Sequence, residues 1–207
     1  MKYAILVDAG YLSKKLRFKG KNYTKSTIES FIHNIKNHPL FENDYLYRIF
    51  YYDATPCGYK IRHPITNETI DLSKTKPFTA GNKLIQEIKD IPMIALRLGS
   101  TVASGAWEVK NINAIKENEP FRADMVSPKI TQKGVDMKIG LDIATIALKK
   151  LSDKIILIAS DTDFIPVLKF ARSEGLQVFM NTLENKEHNM KFEEHVDQII
   201  EVDIANI

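Results

Sequence analysis

The chain has 207 residues, a net charge of only +3, and 44% apolar against 27% charged residues. That balance excludes intrinsic disorder and leaves enough length for one domain with a substantial core. Cys57 is the only cysteine, so an intramolecular disulfide and a cysteine-rich zinc site are both excluded.

The chain opens on Tyr3–Ala4–Ile5–Leu6–Val7, an apolar run that predicts a first strand over Lys2–Val7 ending at Asp8. Five apolar residues are too few for a signal peptide, and no run reaches membrane-span length, so a cytoplasmic protein with no membrane partner is expected. A helix is expected from about Gly10 to Arg17 and another from Lys25 to Asn37. Thr24 or Ser26 would cap the second, and Ile28, Phe31, Ile32 and Ile35 form its apolar face. Between Ser13 and Ser26 lie Lys14, Lys15, Arg17, Lys19, Lys21 and Lys25 with no acid, a local positive field suited to a polyanion or simply a solvated face.

Tyr45–Tyr52 reads as strand two, ending at Asp53. Residues 54–74, with Pro56, Gly58 and Pro64, read as a long excursion holding a short hairpin around Ile65–Ile70. A helix over Ala80–Lys89 precedes strand three, Pro92–Leu98, which Gly99 closes. Trp107–Ile112 and Phe121–Val126 are expected as short strands of a side lobe over the sheet edge.

From Gly134 to Leu151 the period becomes helical, with Val135, Ile139, Ile143 and Ile146 on one face. Strand four is Lys154–Ala159, followed by a helix from about Thr162 to Glu174 that Gly175 stops. Strand five is Gln177–Met180, and Ile199, Ile200 and Val202 suggest a last strand. Alternating strands and helices imply an α/β fold: three layers around a central, mainly parallel sheet. One domain over 1–207 is expected, with an insertion or side lobe at about 54–130.

Strands of a parallel sheet open at their C-terminal ends onto the edge where ligands bind. Asp8 ends strand one, Asp161 and Asp163 follow strand four, and Asp136 starts the long helix. Grouped carboxylates repel unless cations neutralise them, and carboxylate oxygens are the ligands that Mg²⁺ or Mn²⁺ prefers. Such a cation lowers the pKa of a bound water and stabilises charge on a phosphoryl oxygen. Each residue also has an ordinary reading: Asp136 favouring the helix dipole, Asp161 capping a helix, Asp163 in its first turn.

VDAGYL at 7–12, QKGVDMKIGLDIA at 132–144 and IASDTDF at 158–164, with RLGS at 97–100, resemble in order and spacing the NYN domain. The likeness is to its LabA-like bacterial branch, within the PIN-like nuclease superfamily, and spans about 1–182, with 54–130 the least diagnostic part. It implies a PIN-like three-layer fold and a Mg²⁺- or Mn²⁺-dependent ribonuclease hydrolysing single-stranded or flexible RNA. Asp8, Asp136 and Asp161 would be core ligands and catalytic residues, with Asp163 a fourth. Asp142, about 120° around the helix from Asp136, takes a supporting role in an ion pair or behind the ligands. Lys14, Lys15, Arg17 and Lys133 would meet phosphates.

Two positions depart from the family pattern. Tyr11 stands where many relatives have Asn, and Ser160 where many have Gly. Tyr11 is a candidate base-stacking residue, and Ser160 a candidate hydroxyl beside the cation. RNA is the expected partner, DNA is also admitted, and homo-oligomerisation is left open. The competing reading is a non-catalytic RNA-binding or protein-interaction regulator that keeps the fold. A haloacid dehalogenase-type phosphatase would need an acid where Gly10 stands, and no GxGxxG follows strand one to support a dehydrogenase.

Overall fold

Alternating buried strands and amphipathic helices require each helix to cover a sheet face, and that is how this chain is built. A computed structural model describes residues 1–110, 121–184, 186–202 and 204. Its strands are β1 (Lys2–Asp8), β2 (Tyr45–Ala54), β3 (Lys60–Arg62), β4 (Thr69–Asp71), β5 (Ile94–Val109), β6 (Val126–Lys133), β7 (Lys154–Ile158), β8 (Gln177–Asn181) and β9 (Gln198–Ile199). Its helices are α1 (Ala9–Phe18), α2 (Lys25–Lys36), α3 (Lys76–Lys89), α4 (Val135–Lys149), α5 (Ile165–Ser173) and α6 (Lys186–Phe192).

Seven strands form one sheet in the order β6-β5-β2-β1-β7-β8-β9, parallel throughout except where β6 runs antiparallel to β5. The side chains of β1 alternate between two cores. Tyr3, Ile5 and Val7 join α1, α2 and Ile88 of α3 on one face, while Ala4 and Leu6 join α4, α5 and Phe192 of α6 on the other. The expected three-layer α/β/α architecture is therefore present. The central position of β1 and β7 sets their C-terminal ends, and the acids that follow them, side by side in register from Tyr3↔Lys154 to Val7↔Ile158.

Several expected boundaries differ, each for a local reason. Thr24, not Ser26, caps α2 by accepting from the Thr27 amide at 3.3 Å. The helix expected from Thr162 is a 3-10 turn, Thr162–Phe164, and α5 starts at Ile165 so that Pro166 falls in the first turn, where its missing N–H costs nothing. Pro77 likewise sits in the first turn of α3, which starts at Lys76 rather than Ala80.

The hairpin expected at Ile65–Ile70 pairs β3 with β4 instead. His63 Nδ1 accepts from the amides of Ile65 and Thr66 and turns those residues into the loop. Gly99 does not close a strand. β5 runs on to Val109 and is answered by β6, a strand not among those expected; it carries Pro128, which an edge strand tolerates. Phe121–Val126 is not a strand: Ala123–Met125 is a 3-10 turn that leads into β6. The end of the expected strand Trp107–Ile112 lies outside the described residues.

Candidate functional site

Asp8 is both the last residue of β1 and the cap of α1, its carboxylate accepting from the Tyr11 amide at 3.0 Å. The sheet ends there because the chain must turn into α1, and the cap orients the carboxylate toward the C-terminal edge. Asp161 plays the same part after β7, accepting from the Asp163 amide at 2.9 Å. Asp136 lies in the first turn of α4, entered through Gly134 in the left-handed region at φ 77°. Glycine occupies that conformation without the cost a side chain would bring.

Asp8, Asp136 and Asp161 line one cleft of about 240 Å³, together with Gly10, Tyr11, Lys14, Gln132 and Ser160. Burial pushes the Asp8 carboxyl above the ordinary carboxylate range and the Asp136 charge adds to the rise, against the amides of Tyr11 and Gly10 and the Lys14 charge. Asp136 is exposed at the surface, yet partial desolvation pushes its carboxyl up, reinforced by the charges of Asp161 and Asp163. Among the described residues none of the four aspartates forms an ion pair with a lysine or arginine.

Asp163 faces a neighbouring hollow of about 340 Å³ on the α4–α5 side, which it shares with Asp136. Asp142 is elsewhere: it accepts from Arg97 Nε at 2.9 Å and from the Tyr52 hydroxyl at 3.0 Å, an ion pair tying α4 to β5 and β2. Lys14 lines the cleft, and Arg17 lines the cavity beside it. Lys15 lies 5.7 Å from the centre of the Tyr11 ring. Lys133, exposed at the end of β6, lines neither hollow. Tyr11 donates its hydroxyl to the Thr182 carbonyl, and its ring packs on the core while edging the cleft. The basic run is partly engaged: Lys19 pairs with Glu184 at 2.5 Å and Lys25 reaches Glu29 at 4.0 Å.

Two residues enter that the sequence reading does not single out. Asp53, second to last in β2, has its carboxyl pushed up by burial and by Asp8, and lines the adjoining cavity of about 420 Å³. Its position at the end of an apolar strand, like that of Asp8, was the available signal. Gln132 lines the cleft from the far side, its Oε1 within 3.2 Å of where a Cβ on Gly10 would stand.

The chemistry of this donor set fits a hard divalent cation: carboxylates face a shared cleft and oppose one another's ionisation. The set is not drawn tight, since among the described residues no three His, Cys, Asp or Glu groups stand close enough to hold an ion jointly. Mg²⁺ keeps several waters and is bound through one or two carboxylates, so the spacing suits it. No helix among the described residues is long and apolar enough to cross a membrane.

Comparison with known proteins agrees with the architecture. The NYN domain family matches residues 2–203. The crystal structure of a protein of unknown function from Vibrio parahaemolyticus is similar over 98% of this chain and 93% of that one, at 13% identity and a TM-score of 0.52, a likeness of fold. No curated protein matches the chain.

Proposed function

This chain belongs to the NYN domain family, and from that premise we propose that it is a Mg²⁺- or Mn²⁺-dependent endoribonuclease of the LabA-like branch, cutting single-stranded or flexible RNA in the cytoplasm. Membership in a PIN-like nuclease family already implies a nuclease-like, RNA-related role. The observation that carries the finer reading is the cleft itself, which Asp8, Asp136 and Asp161 line together and where desolvation and neighbouring carboxylate charge push two of them up. Asp8, Asp136 and Asp161 would hold the cation, one or two of them directly and the rest through its waters, with Asp163 at the margin. The cation would supply an activated water and neutralise charge on the phosphoryl group.

The chain's own groups do the rest. Lys14, already close enough to lower the Asp8 carboxyl, meets a non-bridging phosphate oxygen. The amide of Gln132 donates to the phosphate or to a ribose hydroxyl across the cleft. Arg17, Lys15 and Lys133 attract the backbone through their field. Asp142 supports from behind, since its bonds to Arg97 and Tyr52 fix α4 on the sheet and with it Asp136. Residues 54–130 shape access within the same domain.

End-labelled RNA and DNA incubated in Mn²⁺, Mg²⁺ or EDTA test the proposal, with Asp8→Asn and Asp161→Asn as variants. Metal-dependent RNA cleavage lost in both variants is the expected outcome. Folded wild type that cuts no better than the variants would move the assignment to a non-catalytic RNA-binding or protein-interaction regulator.

A further inference from the structure

Three hollows lie in a row along the sheet edge. The acidic cleft shares Gly10 and Gln132 with the cavity of about 420 Å³. That cavity shares Arg17, Ala54, Pro56, Pro77 and Gln132 with a third, of about 600 Å³. Both volumes fall in the range of small-ligand sites. One wall of the third is a row of alternate residues on β6, Pro128, Ile130 and Gln132, which the strand's period of two sets on one face.

The opposite wall is Pro56, Pro77 and Phe78. It has little slack: a Cβ on Gly81 would stand 2.7 Å from Pro56 Cγ, and one on Gly58 would stand 3.0 Å from the Phe78 ring. Arg17 is the one charged side chain among the described residues lining this third cavity.

Resting on the nuclease reading above, we infer that this groove seats the single-stranded RNA flanking the scissile phosphate, its bases against Pro56, Phe78 and Ile130 and a backbone phosphate at Arg17. A mainly apolar lining with one cation and, in this third cavity, no carboxylate matches a strand of anionic links and aromatic faces, and stacking of that kind tolerates any base. Gln132 lines all three hollows, so a strand lying in the groove runs on through the middle cavity, past Asp53, and delivers a phosphate further along to the aspartates. From Pro128 to Gln132 the β6 row spans about 13 Å. At no less than about 3.4 Å per nucleotide, that is room for roughly two to four nucleotides. Paired bases keep their faces inside the helix, so a duplex is excluded.

Ile130, 43% exposed on the edge strand, is the place to test this without disturbing the core. The full chain carrying Ile130→Glu or Ile130→Lys is titrated against a fluorescein-labelled oligouridylate of about ten nucleotides. Anisotropy is read in EDTA, with the RNA shown intact on a gel. Ile130→Glu is expected to weaken binding about tenfold or more, whereas Ile130→Lys, of similar reach, keeps or tightens it. A duplex of the same length is expected to bind at least tenfold less tightly than the single strand.

Equal effects of the two substitutions, no effect of either, or wild type that binds no RNA would each overturn the inference. Wild-type cleavage in Mn²⁺ with both Ile130 variants binding normally would remove the groove and leave the nuclease reading standing. Groove-dependent binding without any cleavage would support the groove and remove the nuclease.

Discussion

Replacing Gly99 by alanine tests whether the turn that presents Asp136 is sterically held. The new Cβ would stand 2.5 Å from the Lys133 carbonyl oxygen and 2.8 Å from Val135 Cγ2. Ordinary contact begins near 3.4 Å, so the backbone must withdraw by about 0.9 Å, the difference between 3.4 and 2.5 Å, and a carbonyl on the chain cannot swing aside as a side-chain tip can. Overpacking of this kind costs about 1–3 kcal/mol, which for a chain this long lowers the melting temperature by roughly 2–12 °C. Urea unfolding followed by circular dichroism reads the cost directly.

The same displacement shifts the segment from Lys133 to Asp136 relative to Asp8 and Asp161. A misplacement approaching 1 Å costs catalysis about 100-fold, read as initial rates of RNA cleavage in Mn²⁺. A variant that unfolds at the wild-type urea midpoint would show that β6 and the start of α4 yield freely. One that is destabilised yet cuts at the wild-type rate would show that this turn does not position Asp136.

Four further outcomes are expected. Asp136→Asn should raise the melting temperature of the metal-free protein near neutral pH. Its folded carboxyl is pushed up, so the ionised form is disfavoured there, and the gain should fade as pH falls through the carboxylate range, where wild type is protonated too; a constant difference across that range would refute the repulsion. Mn²⁺ should stabilise wild type by about 2.7 kcal/mol at one hundred times its dissociation constant, and a thermal scan of Asp8→Asn or Asp161→Asn showing the same rise would place the ion elsewhere. Asp142→Ala should cost about 1–3 kcal/mol in urea unfolding by leaving Arg97 and the buried Tyr52 hydroxyl without their acceptor. Its Mn²⁺-dependent thermal shift should stay intact, and loss of that shift would make Asp142 part of the site. Arg17→Gln should reduce the salt dependence of RNA binding by about one unit of log–log slope; an unaltered slope would take Arg17 off the backbone path.

Much of the architecture was legible in order along the chain because strand and helix periods are local signals. β1 and β7 show as unbroken apolar runs, since strands buried on both faces have no polar side, and the acids that end them stand out against those runs. The motifs around Asp8, Asp136 and Asp161 were readable for the same reason, and family membership over residues 2–203 agrees with them.

Other features depend on contacts between residues far apart in sequence, which no local pattern encodes. β6 carries Pro128, and the edge position that makes proline tolerable there exists only once β5 is beside it. Asp53 carries the same strand-end signal as Asp8, yet its coupling to Asp8 follows from β1 and β2 being neighbours, with Asp8 opposite Tyr52. Asp142 sits within a motif rich in site residues, but the helical turn that separates it from Asp136 sends it to Arg97 instead. The sequence by itself determined which carboxylates end which strands. The strand order alone decided which of them share a cleft, because charge repulsion and burial act through space and not along the chain.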